Sequence, residues 1–128
     1  MILDSSVVVA VLLKENGHEA VEERVRAADW IGIGSPTLVE TEIVLTRRVD
    51  RHARPALMRF LEDQDVDAVA FLAEHWRAAG LAYLTYGKGR HPAALNFGDC
   101  MAYATARVEG EPLLALGDDF AQTDIELA

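Results

Sequence analysis

Residues 1–13, MILDSSVVVAVLL, place one acid inside an apolar run. A carboxylate buried among such side chains is costly unless it is paired or binds a cation. Residues 1–4 read as a short buried strand, too apolar for a strand with one wet face. Asp4, Ser5 or Ser6 then caps a helix that starts near Ser6 and runs to about Leu13. The stretch therefore reads as strand, acid, helix, with Asp4 at the strand's carboxyl end. That placement sets the question for the rest of the chain: either Asp4 only caps a helix, or a positive partner sits above it.

Outward from this point the same alternation repeats. Gly17 ends the first helix, and 18–28 forms a second with Ala20, Val21, Val25 and Ala28 on one side. WIGIG at 30–34 reads as a strand, and SPT at 35–37 opens a helix to about Val49, with Pro36 in its first turn. A helix over 54–64 precedes VDAVAF at 66–71, which alternates like a strand. A long helix near 72–86, a Gly- and Pro-containing loop at 86–99 and a helix over 98–109 follow. PLLALG at 112–117 is a last apolar strand. Four strands separated by helices imply a mostly parallel sheet covered on both faces, an α/β/α arrangement. Ligands of such sheets bind outside the carboxyl ends of the strands. Asp4 lies there for the first strand, Asp118 and Asp119 for the last.

The chain of 128 residues fits one domain, residues 1–128, with about half its residues apolar. No apolar run reaches the ~20 residues a spanning helix needs. The opening stretch lacks a basic flank and a small-residue cleavage site, so it reads as part of the mature fold of a cytoplasmic protein. A single cysteine, Cys100, excludes an internal disulfide and a cysteine-rich zinc site. A net charge of −9 argues against a non-specific nucleic-acid coat protein. It leaves room for an enzyme whose acids hold metal ions. No phosphate-binding glycine loop is present. His18, His52 and His75 read as surface residues, and His91 belongs to the 86–99 loop.

Three acidic points converge at one end of the expected sheet: Asp4, Asp99 at the start of the 98–109 helix, and the Asp118–Asp119 pair. Each has an ordinary alternative as a cap or turn residue. Together they repel and need a counter-charge to stay ionised. Hard divalent cations supply it, and such ions cleave phosphodiesters. A further acid is expected from the 35–49 helix. Glu40 and Glu42 stand ~200° apart on a helix, so one of them faces the site. The helical wheel does not decide between them, because Leu38, Leu45 and Val49 favour the side of Glu42 and Val44 that of Glu40.

ILDSS, the glutamate in LVETEIVL, YGKGRHPAALNFGDCMAYATA and PLLALGDDFAQTDI, in this order over nearly the whole chain, resemble PIN-domain ribonucleases. More narrowly, they resemble the VapC-type toxins of toxin–antitoxin pairs. The resemblance implies metal-binding aspartates at Asp4 and Asp99, the helical glutamate at Glu40, and a last acid at Asp118 or Asp119. It implies a supporting hydroxyl at Ser6. It implies Mg²⁺- or Mn²⁺-dependent cleavage of RNA by activated water, leaving a 3′-hydroxyl and a 5′-phosphate. It also implies a VapB-like antitoxin as partner, and a homodimer. Two other readings compete: a PIN-like protein-binding module without catalysis, and a structure-specific DNA nuclease of the same fold. A response-regulator-like phosphate acceptor fits poorly, since ILDSS has one acid and VDAVAF ends in none.

RNA contacts are expected in the loop, from Lys88, Arg90, His91, Asn96 and Tyr86, with Tyr86 or Phe97 stacking on a base. Arg47, Arg48, Arg51 and Arg54 form a second basic group. Val8, Val11, Leu12, Val21, Val25 and Trp30 are candidates for partner docking, with plain core packing the favoured reading of each.

Overall fold

The computed structural model describes residues 1–128. Its centre is a four-stranded sheet of β1 (Ile2–Leu3), β2 (Ile31–Gly34), β3 (Val66–Val69) and β4 (Leu113–Leu114). The strand order is β3-β2-β1-β4 and every pairing is parallel. Parallel neighbours need crossover helices, and these supply the two outer layers. They are α1 (Ser5–Leu12), α2 (His18–Arg26), α3 (Ser35–Val49), α4 (Ala53–Asp63), α5 (Ala73–Tyr86) and α6 (Phe97–Glu109). The three-layer α/β/α sandwich expected from the alternation is the observed fold.

Successive strand residues point to opposite faces, so each central strand feeds two cores. Leu3, Ile31, Ile33 and Leu114 pack with Val7, Val8, Val25, Leu45, Leu57 and Phe60 on the α1–α4 side. Ile2 and Leu113 pack with Ala79, Leu95, Cys100, Ala102 and Phe120 on the α5–α6 side. The central strands are therefore apolar on both faces, which is why the first stretch shows no alternation. β3 is the edge, and its Asp67 and Ala68 are exposed. The indole N–H of Trp30 donates to Asp67 across that edge at 2.7 Å.

One open choice is decided here, and two histidine placements are corrected. Val8, Val21 and Val25 are buried in the α1–α4 core, with Val11 and Leu12 packed against it, and Trp30 packs against the opposite core. These residues are core rather than docking surface. His75 is 2 % exposed, not a surface residue. Its Nδ1 accepts the Leu72 backbone N–H at 3.0 Å, closing the first turn of α5. His18 is half-buried, with Nδ1 3.1 Å from Glu22. No helix is long and apolar enough to cross a membrane.

Candidate metal centre

β1 ends at Leu3, and the chain turns at once into α1. Asp4 caps that helix: its Oδ2 accepts the backbone N–H of Ser6 at 3.0 Å and the Ser6 hydroxyl at 2.5 Å. The carboxylate is 6 % exposed. Both bonds fall on Oδ2, and no donor of the chain reaches Oδ1. Capping thus explains half of Asp4 and leaves the other half for something else. Ser6 does a second task. Its Oγ accepts the backbone N–H of Leu116 at 3.0 Å, which fastens the segment after β4 to the first acid.

Asp99 comes from the opposite layer. It sits at the third position of α6, where it forms a reciprocal capping pair with Asn96. Asn96 Oδ1 accepts the Asp99 backbone N–H, and Asp99 Oδ2 accepts the Asn96 backbone N–H, both at 2.9 Å. As with Asp4, one carboxylate oxygen is used in the cap and the other is left over. Asn96 therefore holds Asp99 in place.

Glu40 reaches the same place from α3. Its carboxylate rests on Gly98, and a Cβ at Gly98 would collide with it. Glycine next to Asp99 leaves the Glu40 carboxylate room to lie there, and a larger residue would push it aside. Oε2 of Glu40 is buried with no hydrogen-bond partner. Glu42 points elsewhere and pairs with Arg54 at 3.4 Å. The structure thus separates the two glutamates that the helical wheel left open.

The electrostatics show which acids meet. Burial, and then the Asp4 carboxylate, push Glu40 above the usual carboxylate range; a Ser5 hydroxyl offsets part of this, and Asp99 adds to the rise. Burial also raises Asp99; the Asn96 backbone bond opposes this, and the charges of Asp4 and Asp119 add to it. Asp4, Glu40 and Asp99 thus feel one another's charge, and Asp119 adds its own on the side of Asp99. Asp119 is delivered by the turn at Gly117, whose φ of +92° suits glycine, and by Phe120, which anchors in the core. Asp118 exerts no such influence on Asp99.

No cation of the chain pairs with this group. No three carboxylates already close into a cage. Such a partial ligand set suits Mg²⁺, which takes one or two carboxylates and completes its octahedron with water and phosphate oxygens. The orphaned Glu40 oxygen and the raised acids fit a hard divalent ion.

The expected RNA-contact residues divide. Lys88 and Arg90 are exposed, and Phe97 is 77 % exposed. Tyr86 is half-buried and packs against the core, 6.0 Å from the Tyr103 ring. Its hydroxyl helps hold Asp124 in its charged form. His91 braces the loop: its Nδ1 accepts the Ala93 N–H at 3.1 Å, and its ring stands edge-on to Tyr86 at 5.2 Å. Arg47, Arg48 and Arg51 are exposed on α3 and the turn after it. Sequence reasoning missed the apolar groove beside the acids, lined by Pro36, Phe71, Trp76, Tyr83, Phe97 and Met101 among others. Its signal was present as aromatic residues at helical spacing in α5, which pattern alone does not distinguish from core.

Fold and acids together define a class, and the sequence matches the PIN domain family over residues 1–126. Ribonuclease VapC36 of Mycobacterium tuberculosis is 46% identical over 127 residues, covering 98% of this chain and 91% of the relative. Ribonuclease VapC42 of the same species is 39% identical over 129 residues, covering 100% of this chain and 98% of the relative. Among solved structures, Mycobacterium tuberculosis VapC20, a sarcin-ricin loop cleaving toxin, superposes with a TM-score of 0.80 at 18% identity. That superposition covers 99% of this chain and 97% of VapC20 and speaks to the fold. The chain belongs to the PIN-domain family, in its VapC ribonuclease branch.

Proposed function

We propose that this protein is a single-domain, cytoplasmic endoribonuclease toxin that depends on Mg²⁺ or Mn²⁺. A VapB-like antitoxin restrains it, and it acts as a homodimer. The observation that carries the reading is the meeting of Asp4, Glu40, Asp99 and Asp119 without a cation of their own, with one Glu40 oxygen buried and unpartnered. The VapC ribonuclease relatives support the choice of RNA. The likeness to solved toxin–antitoxin assemblies such as VapBC2 of Rickettsia felis, which is bound to a DNA fragment from its promoter, supports the antitoxin partner; the TM-score is 0.77.

In this reading Asp4 and Asp99 would hold the ion, each having a carboxylate oxygen that its cap leaves over. Glu40 and Asp119 would complete the negative pocket and orient water by accepting hydrogen bonds from it. A bound divalent ion lowers the pKa of water and offsets charge on the phosphate during in-line displacement. Ser6 and Asn96 keep the two principal acids from turning away. Lys88 and Arg90 offset the acidic surface along the path of the RNA.

The test is cleavage of total RNA by the purified protein in Mg²⁺, with the cut ends mapped. The expected products carry 3′-hydroxyl and 5′-phosphate ends, and Asp4→Ala and Asp99→Ala each abolish cutting. Unchanged cutting by both variants discards the mechanism. A wild type that binds metal and cuts no RNA returns the protein-binding module.

A further inference from the structure

The chain between α5 and α6 closes on itself, with Gly87 and Leu95 paired as an isolated parallel bridge. The Lys88 N–H donates to the Leu95 carbonyl, and the Leu95 N–H to that of Tyr86, both at 3.0 Å. The Gly87 carbonyl accepts the N–H groups of Arg90 and His91, and the His91 carbonyl accepts that of Ala94. The segment is thus tied by its own backbone. The Ala93 N–H, on a residue that is 1 % exposed, is served by a side chain instead: His91 Nδ1 accepts it at 3.1 Å.

This bond spans a proline. Pro92 disfavours helical backbone at His91. A side chain that accepts the N–H two residues on makes an Asx-type turn, which asparagine and aspartate ordinarily build. Here an imidazole does it, and the acceptor role places the ring proton on Nε2. Tyr86 stands edge-on to the ring at 5.2 Å and keeps it in place. Just beyond, Ala94 takes a left-handed φ of +51°, a conformation that a residue with a Cβ keeps only when its neighbours are fixed.

The stretch shaped in this way ends at the acids. Ala93 and Leu95 are sunk in the α5–α6 core, and the next residue, Asn96, exchanges two hydrogen bonds with Asp99. We propose that His91 is a positioning residue of the metal centre: by accepting the Ala93 N–H it fixes the stretch from which Asn96 aims Asp99, and it touches neither the ion nor RNA. The proposal rests on the metal-binding reading of the acids and not on which polymer is cut. Without the ring a buried donor has no acceptor, and the stretch relieves it by shifting toward water, taking Asn96 along.

The experiment uses the full chain and Mn²⁺ alone, with the free ion counted by electron paramagnetic resonance. His91→Ala is expected to lower Mn²⁺ affinity about tenfold, the scale seen when the partner that orients a ligand is lost. His91→Asn, which keeps the acceptor, stays within about twofold of wild type. Phe60→Leu, a destabilising change in the opposite core, keeps wild-type affinity. Coupling between two sites is reciprocal, so Mg²⁺ is expected to slow hydrogen exchange at the Ala93 amide of the wild type as well as at Asp99. That arm needs no variant to fold. Unchanged Mn²⁺ affinity in His91→Ala, an equal loss in His91→Asn or Phe60→Leu, or an Ala93 amide indifferent to Mg²⁺ overturns the proposal. So does weaker RNA binding by His91→Ala in EDTA with Mn²⁺ affinity intact, which makes His91 an RNA contact. Cutting is scored separately. A wild type that binds Mn²⁺ and cuts no RNA removes the ribonuclease reading and leaves the positioning role standing. A wild type that binds no Mn²⁺ ends both.

Discussion

Two groups of carboxylates in this molecule have opposite surroundings. Asp124 is met by the chain itself: the Tyr103 hydroxyl donates to Oδ1 at 2.6 Å, and Arg107 lies 3.2 Å from Oδ2. The Tyr103 bond holds its carboxyl below the usual range against some desolvation, with help from Arg107 and Tyr86. Glu40 and Asp99 are raised, by burial and by other acids. A carboxylate that serves the fold brings its own donors. Carboxylates that crowd one another with fewer donors than they can accept are held as ions at a cost that a cation from outside relieves.

The largest test of this contrast compares Asp99→Asn with Asp124→Asn. The first is expected to lower RNA cleavage by about 10³-fold or more, since metal charge stabilisation is worth several kcal/mol. The second should leave the cleavage rate within about twofold and lower stability by about 1–2 kcal/mol in urea unfolding. Equal losses of activity would end the distinction.

Gly98→Ala comes next. Alanine suits a helix better than glycine by about 0.5–1 kcal/mol. Its Cβ nonetheless meets the Glu40 carboxylate. Cleavage should fall about 10–100-fold, as small displacements of positioned groups do, while the melting temperature stays near that of wild type.

Glu40→Gln sharpens the comparison from the stability side. Removing one of several repelling charges is expected to raise the metal-free melting temperature by about 2–4 °C, roughly 1 kcal/mol at this size. The further rise on adding Mg²⁺ shrinks. Differential scanning fluorimetry with and without Mg²⁺ reads both, and a lower metal-free melting temperature would contradict the reading.

The smallest effect is a pH dependence. The folded pKa of Asp124 lies below its ordinary value, so its contribution is complete above the unfolded pKa near 3.8. It disappears as pH falls through the lower folded value. The stability gap between wild type and Asp124→Asn should therefore be constant from neutral pH to about pH 5 and close below pH 4.

Much of the fold was legible because alternation of apolar strands with helices is a local signal. The ends of the short strands were less so: β1 and β4 are two residues each, and flanking apolar residues extend the pattern without extending the pairing. Asp4 and Asp99 were legible from their place at element starts. Glu40 was not, because α3 packs on two sides and its apolar residues mark no single face. The choice between Asp118 and Asp119 depends on a turn at Gly117 that spacing does not specify. His75 looked like a surface histidine because nothing in its neighbours reveals that its ring closes a helix from inside the core. Tyr86 reads from the sequence as an available loop-edge ring; the structure adds its packing against Tyr103 and its bond toward Asp124, which no spacing signals.

The tie from Ser6 to Leu116 joins positions 110 residues apart. In the order of synthesis Asp4 precedes Asp99 and Asp119. A growing polypeptide consequently has no assembled centre while most of it is being synthesised. The acids come together only once the last strand is threaded in beside the first.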